Sequence, residues 1–365
     1  MDYRTAHSPI KLGLPPLEIF QLPFSQPPKT VPHVPQPPSN ISAEVLFRPV
    51  IIDPAIFHIS HDLPTVLTFT AIYIAAVIFL NQYNASRQHR PWAFSKKPMF
   101  KVLVLAHNTL IALFSAWTFC GLLYLTNSGW PSAVGGEESN YYAGVAEYLC
   151  ETESSAYRVL IRSKSLWEGG GSYIGWLFYM SKFYEVVDTL IILSRGKTSS
   201  TLQTYHHVGV IICSYVALEY ESPLAFVGII LNSGIHTLMY SYFAIQTLGV
   251  PISLSFKRTL TSLQIAQFVV GLVWASSYLF VSYRVQSTGK RIQNALEPPS
   301  DCSASLEHPS VVADGMARMV ANESAIPCLS GSGDAFPLIL AALYLLPLIF
   351  LFVQFYIKSY RKKIE

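Results

Sequence analysis

Polar and apolar positions in this 365-residue chain fall in long alternating blocks rather than with the short period of an amphipathic surface helix. Crossing a hydrocarbon core takes roughly 18 apolar residues or more. Blocks near that length predict spans at Val66–Leu80, Val102–Leu125, Tyr173–Leu193, Gln203–Leu218, Leu224–Leu248, Leu260–Val281 and Phe336–Tyr356. The fourth is short, and it carries a glutamine and two adjacent histidines in its first turns. An odd number of crossings sets the two termini on opposite sides.

The basic residues orient this arrangement, because short loops rich in Lys and Arg stay cytosolic. Arg87, Arg90, Lys96, Lys97 and Lys101 follow the first span, Arg195 and Lys197 the third, Lys257 and Arg258 the fifth, and Arg361, Lys362 and Lys363 the last. The opposite loops carry Glu137, Glu138, Glu147, Glu151 and Glu153, or Glu219 and Glu221. The expected orientation is therefore N-terminus lumenal and C-terminus cytosolic. It places the sequons Asn40-Ile-Ser and Asn322-Glu-Ser on the glycosylated side and leaves Asn84-Ala-Ser on the other.

Three segments lie outside the bundle in this reading. Residues 1–60 begin with prolines at ten of the first forty positions, which predicts a disordered lumenal tail with no core of its own. That tail lacks a basic-then-apolar signal sequence, so the first span is expected to direct insertion. Residues 61–357 form the seven-span domain, including a lumenal insertion at about 284–333, and residues 358–365 form a cytosolic tail. Cys302 and Cys328 in the insertion and Cys150 in the other long lumenal loop allow one disulfide whose pairing the spacing leaves open.

Composition agrees with a membrane protein, at 51% hydrophobic and 13% charged residues. The net charge of +3 is too small for a nucleic-acid partner. Five cysteines without a CxxC pair speak against a zinc site.

The chemistry rests on ionisable groups at membrane depth, each of which costs about 2.5–3.5 kcal/mol to insert unless it is paired or used. In the third span Lys182, Glu185 and Thr189 share a helical face, with Asp188 one turn beyond Glu185. Either they form a neutralised stripe that only orients the helix, or they face something cationic such as an imidazole. The fourth span places Gln203, His206 and His207 at i, i+3 and i+4. The fifth adds Asn232 and His236, with Met239 and Tyr240 a turn on, where His236 serves either as a helix-to-helix hydrogen-bond donor or as part of the site. Thr261, Gln264 and Gln267 make a polar row in the sixth, and His107-Asn108 a pair in the second. Both are equally suited to helix packing and to lining a site.

Lys182-x-x-Glu185-x-x-Asp188-Thr189, His206-His207, Asn232-x-x-x-His236-x-x-Met239-Tyr240 and Thr261-x-x-Gln264-x-x-Gln267 together resemble, in order and spacing, the ELO family of very-long-chain fatty acid elongases. The resemblance covers about residues 60–283 by motif and the last span by topology. It departs from the family at Gln203, where the usual HxxHH box opens with a histidine, and at Tyr242-Phe243, where two tyrosines are usual. Gln203 hydrogen-bonds but does not titrate, so an orienting role is expected for it. Lys362-Lys363-Ile364-Glu365 also resembles the dilysine signal that returns membrane proteins to the endoplasmic reticulum.

The resemblance implies an all-α membrane protein with seven transmembrane helices enclosing an acyl-chain tunnel. It also implies decarboxylative condensation of a long-chain acyl-CoA with malonyl-CoA to a 3-ketoacyl-CoA. In that reaction His206 is expected to accept the acyl group, since imidazole attacks thioesters and divides one hard step into two. His236 is expected to activate it or polarise the malonyl group, His207 to hydrogen-bond nearby, and Glu185 and Asp188 to set imidazole tautomer and charge. Lys182, Gln203, Asn232, Tyr240, Gln264 and Gln267 are expected to hold polar groups of the substrates. No metal or cofactor beyond the two CoA esters is expected. The implied partners are membrane lipids, the ketoreductase, dehydratase and enoyl reductase of the cycle, and a second copy of the chain. Two rivals are a di-iron desaturase or hydroxylase, which needs more histidines than His107, His206, His207 and His236, and a seven-span transporter or receptor with a proton relay.

Overall fold

The computed structural model describes residues 10–22, 51–130, 145–146, 148–150, 167–283, 326–329 and 331–360. Helices dominate: α1 (Pro54–Ser60), α2 (Leu63–Ser86), α3 (Pro98–Gly129), α4 (Ser172–Tyr184), α5 (Val187–Ser194), α6 (Thr201–Glu219), α7 (Leu224–Leu248), α8 (Leu254–Ser277) and α9 (Ser332–Tyr360). Their starts are written locally. Asp53, Asp62, Ser200 and Ser253 each accept a hydrogen bond from a backbone N–H of the following turn, and Pro54 and Pro64 occupy first-turn positions where no N–H is needed. Gly249, at φ +92°, ends α7 in the left-handed region.

Among the described residues five helices, α2, α3, α7, α8 and α9, are long and apolar enough to cross a membrane. The remaining two expected spans look different. The third is not one helix but two, α4 and α5, joined where Asp188 N–H bonds Glu185 O and Thr189 N–H bonds Val186 O, three residues back instead of four. The fourth, α6, is 19 residues long, and its glutamine and histidines make its first half polar.

Helix α4 occupies the middle of the bundle, and Tyr173, Ile174, Trp176, Phe178, Tyr179 and Lys182 along it are all buried. Helices α6 and α7 pack against it, α3 runs along α7, and α9 lies between α6 and α8. Beyond one end sits a feature the all-helical reading lacks, an antiparallel three-stranded sheet of β1 (Ile10–Leu12), β2 (Val281–Tyr283) and β3 (Ile326–Pro327). Its register pairs Lys11 with Ser282 and Ser282 with Pro327.

The expectation of an unpacked tail over residues 1–60 is corrected for two segments. Residues 10–22 supply β1 and bury Ile19 among Tyr278, Tyr283, Leu329 and Leu338, and α1 buries Phe57 against Trp176. A short segment needs no core of its own when the bundle offers one. The Cys150–Cys328 disulfide lies in the same cluster as Ile19, which resolves the pairing for the described cysteines, Cys302 lying outside the described residues.

At the opposite end two loops interlock. Asn84, wholly buried, donates to Leu193 O and Lys197 O and accepts from Trp92 Nε1. The Asn84 sequon is thus unavailable whichever side it faces. Asn40, Asn322 and the dilysine pair lie outside the described residues.

Candidate active site

The tightened turn between α4 and α5 presents two carboxylates to different neighbours. Lys182 Nζ donates to Glu185 Oε1 at 2.7 Å, and both side chains are 2% exposed. Lys182 Nζ also donates to Asn232 Oδ1 at 3.0 Å, and Glu185 Oε1 stands 3.7 Å from His236 Nδ1. Asp188 accepts instead from Tyr240 OH and, at 2.8 Å, from His107 Nε2. Tyr184 OH completes that group at 3.1 Å from His107 Nδ1. Thr189, expected on the Lys182 face, bonds Tyr73 OH at 2.8 Å.

The histidines are each oriented by a separate partner. As an ammonium, Lys182 can only donate, so it fixes the Asn232 amide with its oxygen toward Nζ and its NH2 toward His236 Nε2, 3.2 Å away. His236 therefore accepts at Nε2 and carries its proton on Nδ1, facing Glu185. Gln203 Nε2 lies 2.8 Å from His207 Nε2, one turn along α6. His206 turns the other way, and its Nδ1 lies 2.8 Å from Tyr344 OH on α9. Glu185 Oε2, His207 Nδ1 and Gln267 Oε1 are buried without a hydrogen-bond partner among the described residues. Such groups each cost about 1–3 kcal/mol unless a ligand completes them.

A cavity of about 180 Å³ joins these elements. His206, Asn232 and Gln267 line it from three helices, and it continues past Val210, Cys213 and Ala217 on one face of α6. That face, from His206 to Leu218, runs for roughly 18 Å of helix at 1.5 Å per residue. Along it the walls are predominantly apolar.

Of the residues singled out from sequence, His206, Asn232 and Gln267 line the cavity, and the others fall into separate hydrogen-bonded groups. Lys182, Glu185, Asn232 and His236 form one connected group; Asp188, Tyr240 and His107 form a second. His206 and Gln267 line the cavity, with His207 and Gln203 behind His206. Gln264 donates to Met239 Sδ at 3.1 Å, and Thr261 bonds Tyr360 OH, so these two tie helices together. Sequence reasoning left His107 undecided and missed Tyr184 and Tyr344. The hydroxyl of Tyr344 within an otherwise apolar run was the available signal.

Among the described residues no three His, Cys, Asp or Glu side chains are grouped to hold a metal ion. The family model for ELO: GNS1/SUR4 matches residues 58–365. Putative fatty acid elongase 3 of Caenorhabditis elegans is 31% identical over 62% of the chain and 61% of its own length. Fatty acid elongase sre1 of Dictyostelium discoideum is 34% identical over 38% of the chain and 51% of its own length. Very long chain fatty acid elongase 6 of Drosophila melanogaster is 36% identical over 28% of the chain and 34% of its own length. The matched part thus spans about a third to three fifths of these relatives.

Proposed function

We propose, on the premise that this chain belongs to the ELO (GNS1/SUR4) family, that it is the condensing enzyme of fatty acid elongation, joining a long-chain acyl-CoA to malonyl-CoA. The observation that carries this reading is the cavity with a histidine, an amide and a second amide at one end and an apolar face of α6 beyond them. An acyl chain suits the apolar length and a thioester the polar end.

In this reading the His206 imidazole attacks the thioester carbonyl, forming a C–N bond as the C–S bond breaks and CoA thiolate leaves. Malonyl-CoA then loses carbon dioxide, and the electron pair released forms the new C–C bond as the C–N bond to His206 breaks. Asn232, which lines the cavity and has a second N–H beside the one it gives His236, is placed to steady the enolate oxygen that develops in between. Buried Lys182 keeps this amide and the Glu185 carboxylate in position. Gln203 orients His207, which supports an orienting role for the first position of the box. The di-iron alternative is not favoured, because His107, His206, His207 and His236 are each held by a different hydrogen-bond partner.

The remaining parts of the proposal concern the membrane. The broken α4–α5 pair and α6 complete seven crossings, their polar groups shielded inside the bundle. The disulfide end is lumenal and the basic end cytosolic in the endoplasmic reticulum, where the chain works beside the ketoreductase, dehydratase and enoyl reductase, and as a homodimer.

Radiolabelled malonyl-CoA supplied with acyl-CoA to microsomes expressing the chain should yield labelled 3-ketoacyl-CoA, and His206→Ala should lose it. Normal condensation by His206→Ala would falsify the assignment of the acyl acceptor.

A further inference from the structure

The contact between His206 and α9 carries more than packing. Tyr344 OH makes two approaches to the same residue, 2.8 Å to His206 Nδ1 and 3.2 Å to His206 O. A phenol has one proton, and a carbonyl oxygen can only accept it. The arrangement that satisfies both contacts has Tyr344 donating to His206 O and accepting from His206 Nδ1–H. The neutral ring then carries its proton on Nδ1 and its lone pair on Nε2.

Tyr344 is itself held on three sides. Its ring stacks on Tyr205 at 5.7 Å between centroids, and Tyr205 OH donates to Tyr344 O at 3.2 Å. On the third side lies Gly209, where a β-carbon would stand 2.1 Å from the Tyr344 ring. No larger residue fits between α6 and this ring without moving it. Tyr344 is fully committed to His206, although 138 residues separate them in sequence.

We propose that Tyr344 is a positioning residue for the acyl transfer: it locks His206 in the Nδ1–H tautomer so that Nε2 presents the attacking lone pair. The inference rests on the reading of His206 as acyl acceptor. When Nε2 bonds the acyl carbon the ring becomes cationic, and the Tyr344 oxygen then accepts a charge-assisted hydrogen bond from Nδ1–H. Tyr344 thus acts before the attack by choosing the tautomer and after it by stabilising the acyl-imidazolium.

The test is the release of CoA from acyl-CoA alone by the full-length protein in detergent, which reads the first half-reaction. Tyr344→Phe keeps the ring and its packing and removes one oxygen. It is expected to slow CoA release about 10- to 100-fold, with KM for acyl-CoA within about twofold, the loss characteristic of a misaligned reacting group. Gly209→Ala, which displaces the ring but leaves its hydroxyl, is expected to slow release in the same way. Tyr205→Phe, which removes the bond to Tyr344 O alone, should stay within about twofold of the parent rate. Normal release by Tyr344→Phe or by Gly209→Ala overturns the proposal, as does a Tyr205→Phe loss equal to that of Tyr344→Phe, which would mark packing alone. His206→Ala separates the two readings. If it releases CoA normally, the acyl-acceptor assignment fails; if it is inactive while Tyr344→Phe is normal, only the role of Tyr344 fails.

Discussion

Lys182 Nζ donates to Asn232 Oδ1 at 3.0 Å, and this one contact determines which face of the Asn232 amide His236 meets. The consequence propagates from a charge on α4 through an amide on α7 to the tautomer of an imidazole one turn further along the same helix.

Replacing Asn232 by Leu removes the donor to His236 Nε2 and the acceptor of Lys182 Nζ while keeping a side chain of similar size. Condensation should fall by about 10²- to 10⁴-fold, the range for a general acid–base group taken out of its protonation state. The melting temperature in detergent should also drop, because buried Lys182 Nζ loses its Asn232 acceptor. Retained turnover in microsomes would show that His236 needs no such orientation.

The Lys182–Glu185 pair yields a double-mutant prediction. Lys182→Met leaves a buried carboxylate without its cation, at about 3–5 kcal/mol. Lys182→Met combined with Glu185→Gln removes both charges and should regain most of the folded yield, without regaining condensation. Size-exclusion profiles and melting temperatures of the two variants decide the matter: equal destabilisation would mean that the pair does not act as a unit.

Gly196 sits at φ +76° where the loop after α5 crosses the loop after α2, and an added β-carbon would lie 2.3 Å from His89 O. Gly249 also has positive φ, +92°, but nothing lies within 4 Å of such a carbon. Gly249→Ala should cost about 1–3 kcal/mol for backbone strain alone. Gly196→Ala should cost more, because the His89 backbone must also move. Melting temperatures in the opposite order would contradict the interlocked loops.

Gly228 and Gly271 line the cavity from α7 and α8, with nothing within 4 Å of an added β-carbon at either site. Leucine at Gly228 or Gly271 would project into open space and favours helix over glycine. Each variant should fold normally and give shorter products when expressed in cells lacking their own elongases. An unchanged lipid profile from both would place the acyl chain elsewhere.

Much of the site was legible because its residue types are out of place. A lysine, two carboxylates and three histidines within apolar blocks need a reason, and their clustering marked α4 to α7 as the elements that carry the site. Their partners were not legible. His107 meets Asp188 across 81 residues, and Tyr344 meets His206 across 138. Local spacing carries no trace of such distances. The break between Tyr184 and Val187 was also hidden, since no proline or glycine marks it.

The sequence by itself determined that this is a membrane protein of long apolar helices, which loops between them are basic, and which ionisable groups have no business in lipid unless they are used. Those properties follow from transfer free energies, which act residue by residue. Only the tertiary structure decided that His206 and His207, neighbours in the chain, face different partners, that Lys182 reaches Asn232 as well as Glu185, and that the proline-rich N-terminal region adds a strand to a sheet. In an apolar solvent the lipid-facing and protein-facing sides of a helix look alike in composition. Which side meets which neighbour is settled only when the helices pack.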